Sequence, residues 1–346
     1  GIFSAIVPHP IGILNKRYKI NARPDTPANG NSAFAAKLAA ETEKIILGKH
    51  DRIELIIAAL LAGGHILLDD LPGVGKTTLV KTLSLASGCA SRRVQFVPDL
   101  LPSDITGMNI FDQRTGEFRL LRGPVFTHIL LADEINRAVP RTQSALLEAM
   151  EEQHVTIDGE TLPLPAPFFV LATQNPVESE STFRLPAAQM DRFLMRLSMG
   201  YPDAAEEAQM LRNLGDAMPF DQVRAVTGPE EILALRASLQ NIQVSDAVTE
   251  YIVALVAATR GCPGVAMGAS PRASRALFRV AKAWAAMRGR AFVTPDDVQY
   301  LARFVLPHRL LLESEAQLAG RTGETVVAEL LESVPVPPAQ SGIYDE

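Results

Sequence analysis

Ile66-Leu67-Leu68-Asp69-Asp70-Leu71-Pro72-Gly73-Val74-Gly75-Lys76-Thr77-Thr78 passes from an apolar strand-like run into a glycine-rich loop and then into a helix that reaches Ser87. Strand, loop and helix in that order are the context a phosphate-binding loop requires, because the helix N-terminus offers unpaired N–H groups to an anion. Gly73 and Gly75 let backbone amides turn inward around a β-phosphate. Lys76 is predicted to reach the β- and γ-phosphates, the Thr77 hydroxyl to ligate magnesium, and Pro72, Val74 and Thr78 to complete the cradle. Asp70 stands where the usual pattern has its first glycine. The amides and Lys76 still supply the phosphate contacts. The bland alternative is a glycine-rich turn that happens to precede Lys-Thr.

Downstream, Ile129-Leu130-Leu131-Ala132-Asp133-Glu134 is an apolar run ending in two carboxylates. Asp133 is expected to hold magnesium through water. Glu134 is expected to accept a proton from the attacking water. A third apolar run, Leu171-Ala172-Thr173-Gln174-Asn175-Pro176, ends in Asn175, a polar group able to orient that water. Taken singly, the pair reads as a solvated strand end and the Asn-Pro as a turn.

The strand-like runs in full are His65–Asp69, Arg93–Val97, His128–Asp133, Phe168–Thr173 and Phe193–Met199. They are short and nearly continuous in apolar residues, as strands buried on both faces are. Their alternation with helices predicts a parallel sheet with right-handed crossovers. Two hairpins interrupt it, one over 107–123 turning at Thr115-Gly116 and one over 154–164 turning at Asp158-Gly159. Helices are expected from Ala33, capped by Ser32, to Leu47 and from Asp51 to Ala62. After Tyr201-Pro202 strand-like runs vanish and helices follow at 204–214, 229–241, 245–258, 271–288, 295–304 and 324–333. Thr294-Pro295-Asp296-Asp297 is a clear helix start. The expected division is an extension or linker over 1–31, an α/β nucleotide-binding core over 32–202, a smaller all-α lid over 203–334 and a tail over 335–346.

At 346 residues the chain suits about two domains. A formal charge of −6, from 33 basic and 39 acidic residues, gives no global field for nucleic acid. Two cysteines, Cys89 and Cys262, exclude a disulfide framework and fit a reducing, cytoplasmic setting. No run reaches the ~18 apolar residues of a membrane span. Gly1–Leu14 is mildly apolar but is broken by Pro8 and Pro10, and reads as a tail or short arm. His65, His128 and His154 lack metal-ligand spacing and read as structural. Ser144 reads as a helix position and Trp284 as lid core.

The block Ala132-Asp133-Glu134-Ile135-Asn136-Arg137-Ala138, continued by Thr142-Gln143-Ser144-Ala145-Leu146-Leu147-Glu148-Ala149-Met150-Glu151-Glu152, closely resembles the MoxR family of AAA+ ATPases. So do the segments 99–107 and 173–176, Leu185-Pro186-Ala187-Ala188-Gln189-Met190-Asp191-Arg192-Phe193, and Gly268-Ala269-Ser270-Pro271-Arg272-Ala273. The resemblance covers about residues 33–315. It implies a Mg-dependent ATPase that assembles as a homo-oligomer, usually of six, and remodels, matures or activates protein complexes. Partners carrying a von Willebrand factor A domain are implied too, together with a client complex. The two hairpins match the helix-2 insert and the pre-sensor-1 hairpin of this clade, which face the pore or a partner in relatives. Asn175 falls at the sensor-1 position, Arg192 at the arginine finger acting on the neighbouring subunit, and Arg272 at sensor 2. Gly48, with Lys49 in place of a common glutamine, matches the segment that holds adenine. Arg137 and Arg141 are candidate interface arginines. A nucleic-acid motor, a magnesium-chelatase-like subunit and a scaffold that does not turn over are the alternatives. The acidic balance opposes the first. The intact Lys76, Asp133, Glu134 and Arg192 oppose the last.

Overall fold

The computed structural model describes residues 30–69, 73, 75–175, 183–214 and 219–338. Asp70, Pro72, Val74, Pro176, residues 1–29 of the extension and 339–346 of the tail lie outside the described residues. Five parallel strands form the central sheet: β1 (Ile66–Asp69), β2 (Ser91–Gln95), β5 (Ile129–Asp133), β8 (Phe169–Gln174) and β9 (Met195–Leu197). Their order is β2-β5-β8-β1-β9. The hairpins are β3 (Gly107–Asp112) with β4 (Glu117–Arg122), and β6 (His154–Ile157) with β7 (Glu160–Pro163). Both turn where their glycines predict.

The apolar runs are continuous because alternate residues enter two different cores. Ile66, Leu68, Ile129, Leu131, Phe169 and Leu171 join one cluster. It also holds side chains of α1 (Gly30–Glu43), α2 (His50–Ala62), α3 (Lys76–Ser87) and the later helices. Leu67, Leu130, Ala132, Val170 and Ala172 face a second cluster with α4 (Pro102–Thr106), α5 (Pro140–Glu152) and the β6–β7 hairpin. The result is a three-layer α/β body, with Ser144 on α5 as expected.

Beyond α6 (Ala187–Met190) and β9 the chain is mainly helical. It comprises α7 (Ala204–Leu214), α8 (Pro229–Ser238), α9 (Asp246–Arg260), α10 (Pro271–Met287), α11 (Pro295–Val305), α12 (Ser314–Leu318) and α13 (Gly323–Ser333). Thr294 caps α11: its hydroxyl accepts from Asp297 N–H while Asp297 accepts from Thr294 N–H. Trp284 is buried on α10, with the Arg288 guanidinium over its ring. Arg288 also makes a bidentate ion pair with Glu54 of α2, tying the helical region to the sheet layer.

Two expectations are corrected. Strands do not vanish after residue 202, because β10 (Val265–Met267) pairs antiparallel with β11 (Leu311–Leu312). The first helix starts at Gly30, so Ser32 lies inside it and residues 30–31 are not linker. Buried Asn31 donates from Nδ2 to Ser238 Oγ at 2.9 Å, and that contact fixes the extra turn.

Candidate functional site

Because the five strands are parallel, their C-terminal ends share one edge, where open α/β sheets bind ligands. Asp69 lies level with Gln174, and Gln95 with Asp133. The glycine loop follows β1 at this edge, and Lys76 opens α3. Gly75, its N-cap, has φ 80° and Gly73 has φ 86°, both in the left-handed region. A Cβ at either would meet nothing within 4 Å, so the demand for glycine here is dihedral and not steric. The exposed Thr77 sits in the first turn of α3.

Asp133 ends β5, and both its oxygens are engaged. The Thr173 hydroxyl donates to Oδ1 at 2.7 Å, and Arg93 Nη2 donates to Oδ2 at 2.7 Å. Glu134 has φ 55° and ψ 50°, a left-handed conformation in a non-glycine residue. Such strain persists only where the surroundings over-determine it, and it clusters at working sites. Here the Glu134 N–H donates to the Thr173 hydroxyl at 2.8 Å. Its Oε2 accepts from Gln95 Nε2 at 2.6 Å and Arg137 Nη1 at 3.0 Å. The buried Asn175 follows β8 at the same edge, and its carbonyl accepts from Asn136 Nδ2. Gly73, Gly75, Lys76, Thr77, Thr78, Asp133, Glu134 and Asn175 therefore share one edge of the sheet.

Arg192 and Arg272 do not join them. In the parallel register Ile66 lies beside Met195, and Leu194 N–H donates to His65 O. Arg192 thus stands at the N-terminal edge, about six residues from the level of Asp69, or ~20 Å at a strand's rise. It meets Glu151 at the far end of α5, Nε to Oε2 at 3.3 Å. Arg272, from the first turn of α10, donates to the other oxygen of the same carboxylate at 2.6 Å. Gly48 has φ 68°, and a Cβ there would collide with the Glu206 side chain of α7. The Lys49 ammonium donates to Tyr201 O.

Sequence reading missed Arg93, Gln95 and Glu151 as members of these constellations. Gln95 lies in the middle of the run read over Arg93–Val97, whereas the observed strand ends at it. Arg137, read as an interface candidate, contacts Glu134 within its own chain, while Arg141 is exposed. His65 is buried, its ring between Met150 O and Val170 N–H, in the structural role expected. Among the described residues no group of three or more His, Cys, Asp or Glu side chains is placed to hold a metal. A magnesium ion at Thr77 and Asp133 would therefore share phosphate oxygens and water, a donor set that suits this hard cation. Among those residues no helix is long and apolar enough to cross a membrane.

Comparison with known proteins matches residues 65–195 to the model of the ATPase family associated with various cellular activities (AAA), and 257–330 to the AAA lid domain. The chain is 48% identical to the Bacillus subtilis protein YeaC, itself uncharacterized, over 89% of this chain and 96% of that one. It is 40% identical to chaperone MoxR1 of Mycobacterium tuberculosis, over 90% and 86%. The crystal structure of an inferred ATPase from Cytophaga hutchinsonii superposes with a TM-score of 0.83. That protein is 37% identical, and the match covers 89% of this chain and 96% of that one.

Proposed function

Since the chain belongs to the MoxR family of AAA+ ATPases, we propose that it hydrolyses ATP with magnesium as a homo-oligomer, most simply a hexamer, and spends that energy on remodelling a protein complex. The observation that carries the reading is the over-determined Glu134. It is a carboxylate in a strained backbone, held by Gln95, Arg137 and Thr173 at the edge where Lys76 opens its helix.

The Gly73 and Gly75 amides and Lys76 hold the β- and γ-phosphates, with Pro72, Val74 and Thr78 flanking them and Gly48 beside the adenine. Thr77 and Asp133 would hold magnesium, which when bound neutralises charge on the phosphates. Glu134 takes the proton of the attacking water, and Asn175 orients that water. Asp133 and Glu134 are kept apart in role by their partners, since Arg93 and Thr173 restrain the first and Gln95 and Arg137 the second. Arg192 and Arg272 lie at the opposite edge of the sheet, which supports a role on the nucleotide of an adjacent subunit. The β3–β4 hairpin exposes Ile110, Phe111, Phe118 and Leu121, apolar surface suited to a protein client. A metal-binding partner of the von Willebrand factor A type, and a cytoplasmic setting, complete the proposal.

Phosphate release with Mg-ATP tests it. Wild type should turn over. Lys76→Ala should fail to bind nucleotide, and Glu134→Gln should bind it yet hydrolyse at least about 100-fold more slowly, the low end of a general base's contribution. Wild-type turnover by Glu134→Gln protein would remove Glu134 as the base.

A further inference from the structure

At the sheet edge away from the nucleotide loop, a cavity of about 400 Å³ opens to solvent between the C-terminal end of α2 and helices α8 and α10. Its walls carry three cations: Arg236 of α8, and Arg279 and Lys282 of α10. Gln153 and Gln240 stand beside them, and Phe278 supplies apolar surface.

Part of this arrangement serves the fold. Arg236 Nε donates to Leu60 O at 2.8 Å, and Arg279 Nη2 donates to the carbonyls of Ala62 and Gly63. Two cations thereby satisfy the orphan carbonyls at the negative end of α2. Capping leaves much unexplained. Arg236 Nη2 is buried and has no acceptor among the described residues, although buried donors are ordinarily paired. None of the three cations makes an ion pair with a carboxylate among those residues. The Lys282 ammonium lies 5.3 Å from the centre of the Phe278 ring. Burial first, and the Arg279 charge second, push Arg236 down to about 10. Burial also lowers Arg279, with Arg275 adding to the effect. Three cations, Arg279 exposed and Arg236 and Lys282 half-buried, thus line one open recess with no carboxylate partner among the described residues, an arrangement that favours an incoming anion.

The geometry points to an anion site in this cavity, for a small phosphate-bearing molecule that engages Arg236 and Arg279 and meets Lys282. Guanidinium forks match the spacing of phosphate oxygens, and Arg236 and Arg279 both line the recess. A lone carboxylate would leave most of this open space of about 400 Å³ unused. Phe278 then faces the organic part of the ligand. Because α2 gives one wall and α8 and α10 the others, a bound anion would fasten these helices together. The site is separate from Lys76 and does not rest on the ATPase reading.

Calorimetric titration of inorganic pyrophosphate into Lys76→Ala protein tests this, since that variant lacks the lysine of the glycine loop. Saturable binding is expected, weakened at least about tenfold by Arg236→Gln, as loss of a charge-assisted hydrogen bond to phosphate requires. Lys282→Ala should weaken it in the same direction. Lys282 touches none of the α2 carbonyls, so its effect cannot come from uncapping that helix. Absence of saturable binding at millimolar pyrophosphate would overturn the proposal. So would binding that both substitutions leave unchanged.

Discussion

His65 sits just ahead of β1, and its environment fixes its protonation state. Nδ1 accepts from Val170 N–H at 3.0 Å, which leaves Nε2 to donate to Met150 O at 3.1 Å. A second proton would have to enter at Nδ1 against an N–H. Burial above all, with Arg236 and Arg279 adding repulsion, holds its pKa down to about 4. The unfolded chain, near 6.5, therefore takes up a proton that the folded chain refuses. Stability is full above pH 6.5 and is lost as pH falls from there toward 4, by on the order of 3 kcal/mol from this ring. Buried His308 acts in the same direction. Urea midpoints measured from pH 7 to 4.5 should fall for wild type and fall less steeply for His65→Gln. An identical slope in the variant would contradict the assignment. The carboxylates proposed to act in catalysis announce themselves in sequence more readily than their partners do. Asp133 and Glu134 end an apolar run, a local signal. Arg93 and Gln95 reach them only because β2 and β5 become neighbours in the sheet, and Glu151 meets Arg272 across 121 positions of sequence. Strand order is set by crossover packing, which a linear reading does not contain.

At the scale of elements, the short connection into β9 sends three consecutive side chains in three directions. Phe193 enters the second core and Arg192 turns to Glu151. Asp191 turns to the helical region, where Arg309 Nε donates to its Oδ1 at 3.0 Å and Ser270 Oγ to its Oδ2 at 2.7 Å. Arg309 is 5% exposed and also donates to Phe193 O at 2.7 Å. Burial lowers its pKa to about 10, while Asp191 opposes that shift. Removing one partner of such a buried pair leaves the other charge uncompensated, a cost of about 3–5 kcal/mol. Arg309→Gln should therefore lower the urea midpoint strongly, with Asp191→Asn similar and the double variant less than additive. A wild-type midpoint in Arg309→Gln protein would show the pair to be incidental. Most elements were legible where their cause is local: the glycine turns of both hairpins, the Thr294 box and the helix from Lys76 to Ser87. The β10–β11 pair was not, because strands of three and two residues carry no periodicity and exist through one tertiary contact. The early start of α1 likewise depends on Asn31 meeting Ser238, far away in sequence.

At the scale of the whole molecule, the proposed ATP site and the two arginines expected to serve it occupy opposite edges of one sheet. The α5 helix runs 13 residues, ~20 Å at a helix's rise, from the edge of Glu134 to the edge of Glu151. Within one chain Arg192 has Glu151 for a partner and no path to Lys76. That contact is partly exposed, with 30% and 37% of the two side chains accessible, so releasing it costs little, typically below about 1 kcal/mol. An arginine supplied by a neighbour is worth on the order of 10³–10⁵ in rate in nucleotide hydrolases that use one. Arg192→Ala should therefore keep nucleotide binding and lose hydrolysis. Lys76→Ala should lose hydrolysis because its own pocket fails, while its Arg192 stays intact. Mixing these two inactive proteins, under conditions where subunits exchange, creates interfaces that pair a sound pocket with a sound arginine. ATPase activity should return in part, rising and then falling as the mixing ratio is varied. If Arg192 served its own chain, neither protein could complete a site and every mixture would stay silent. Silence with co-assembly demonstrated by light scattering would leave Arg192 as the partner of Glu151 and nothing more.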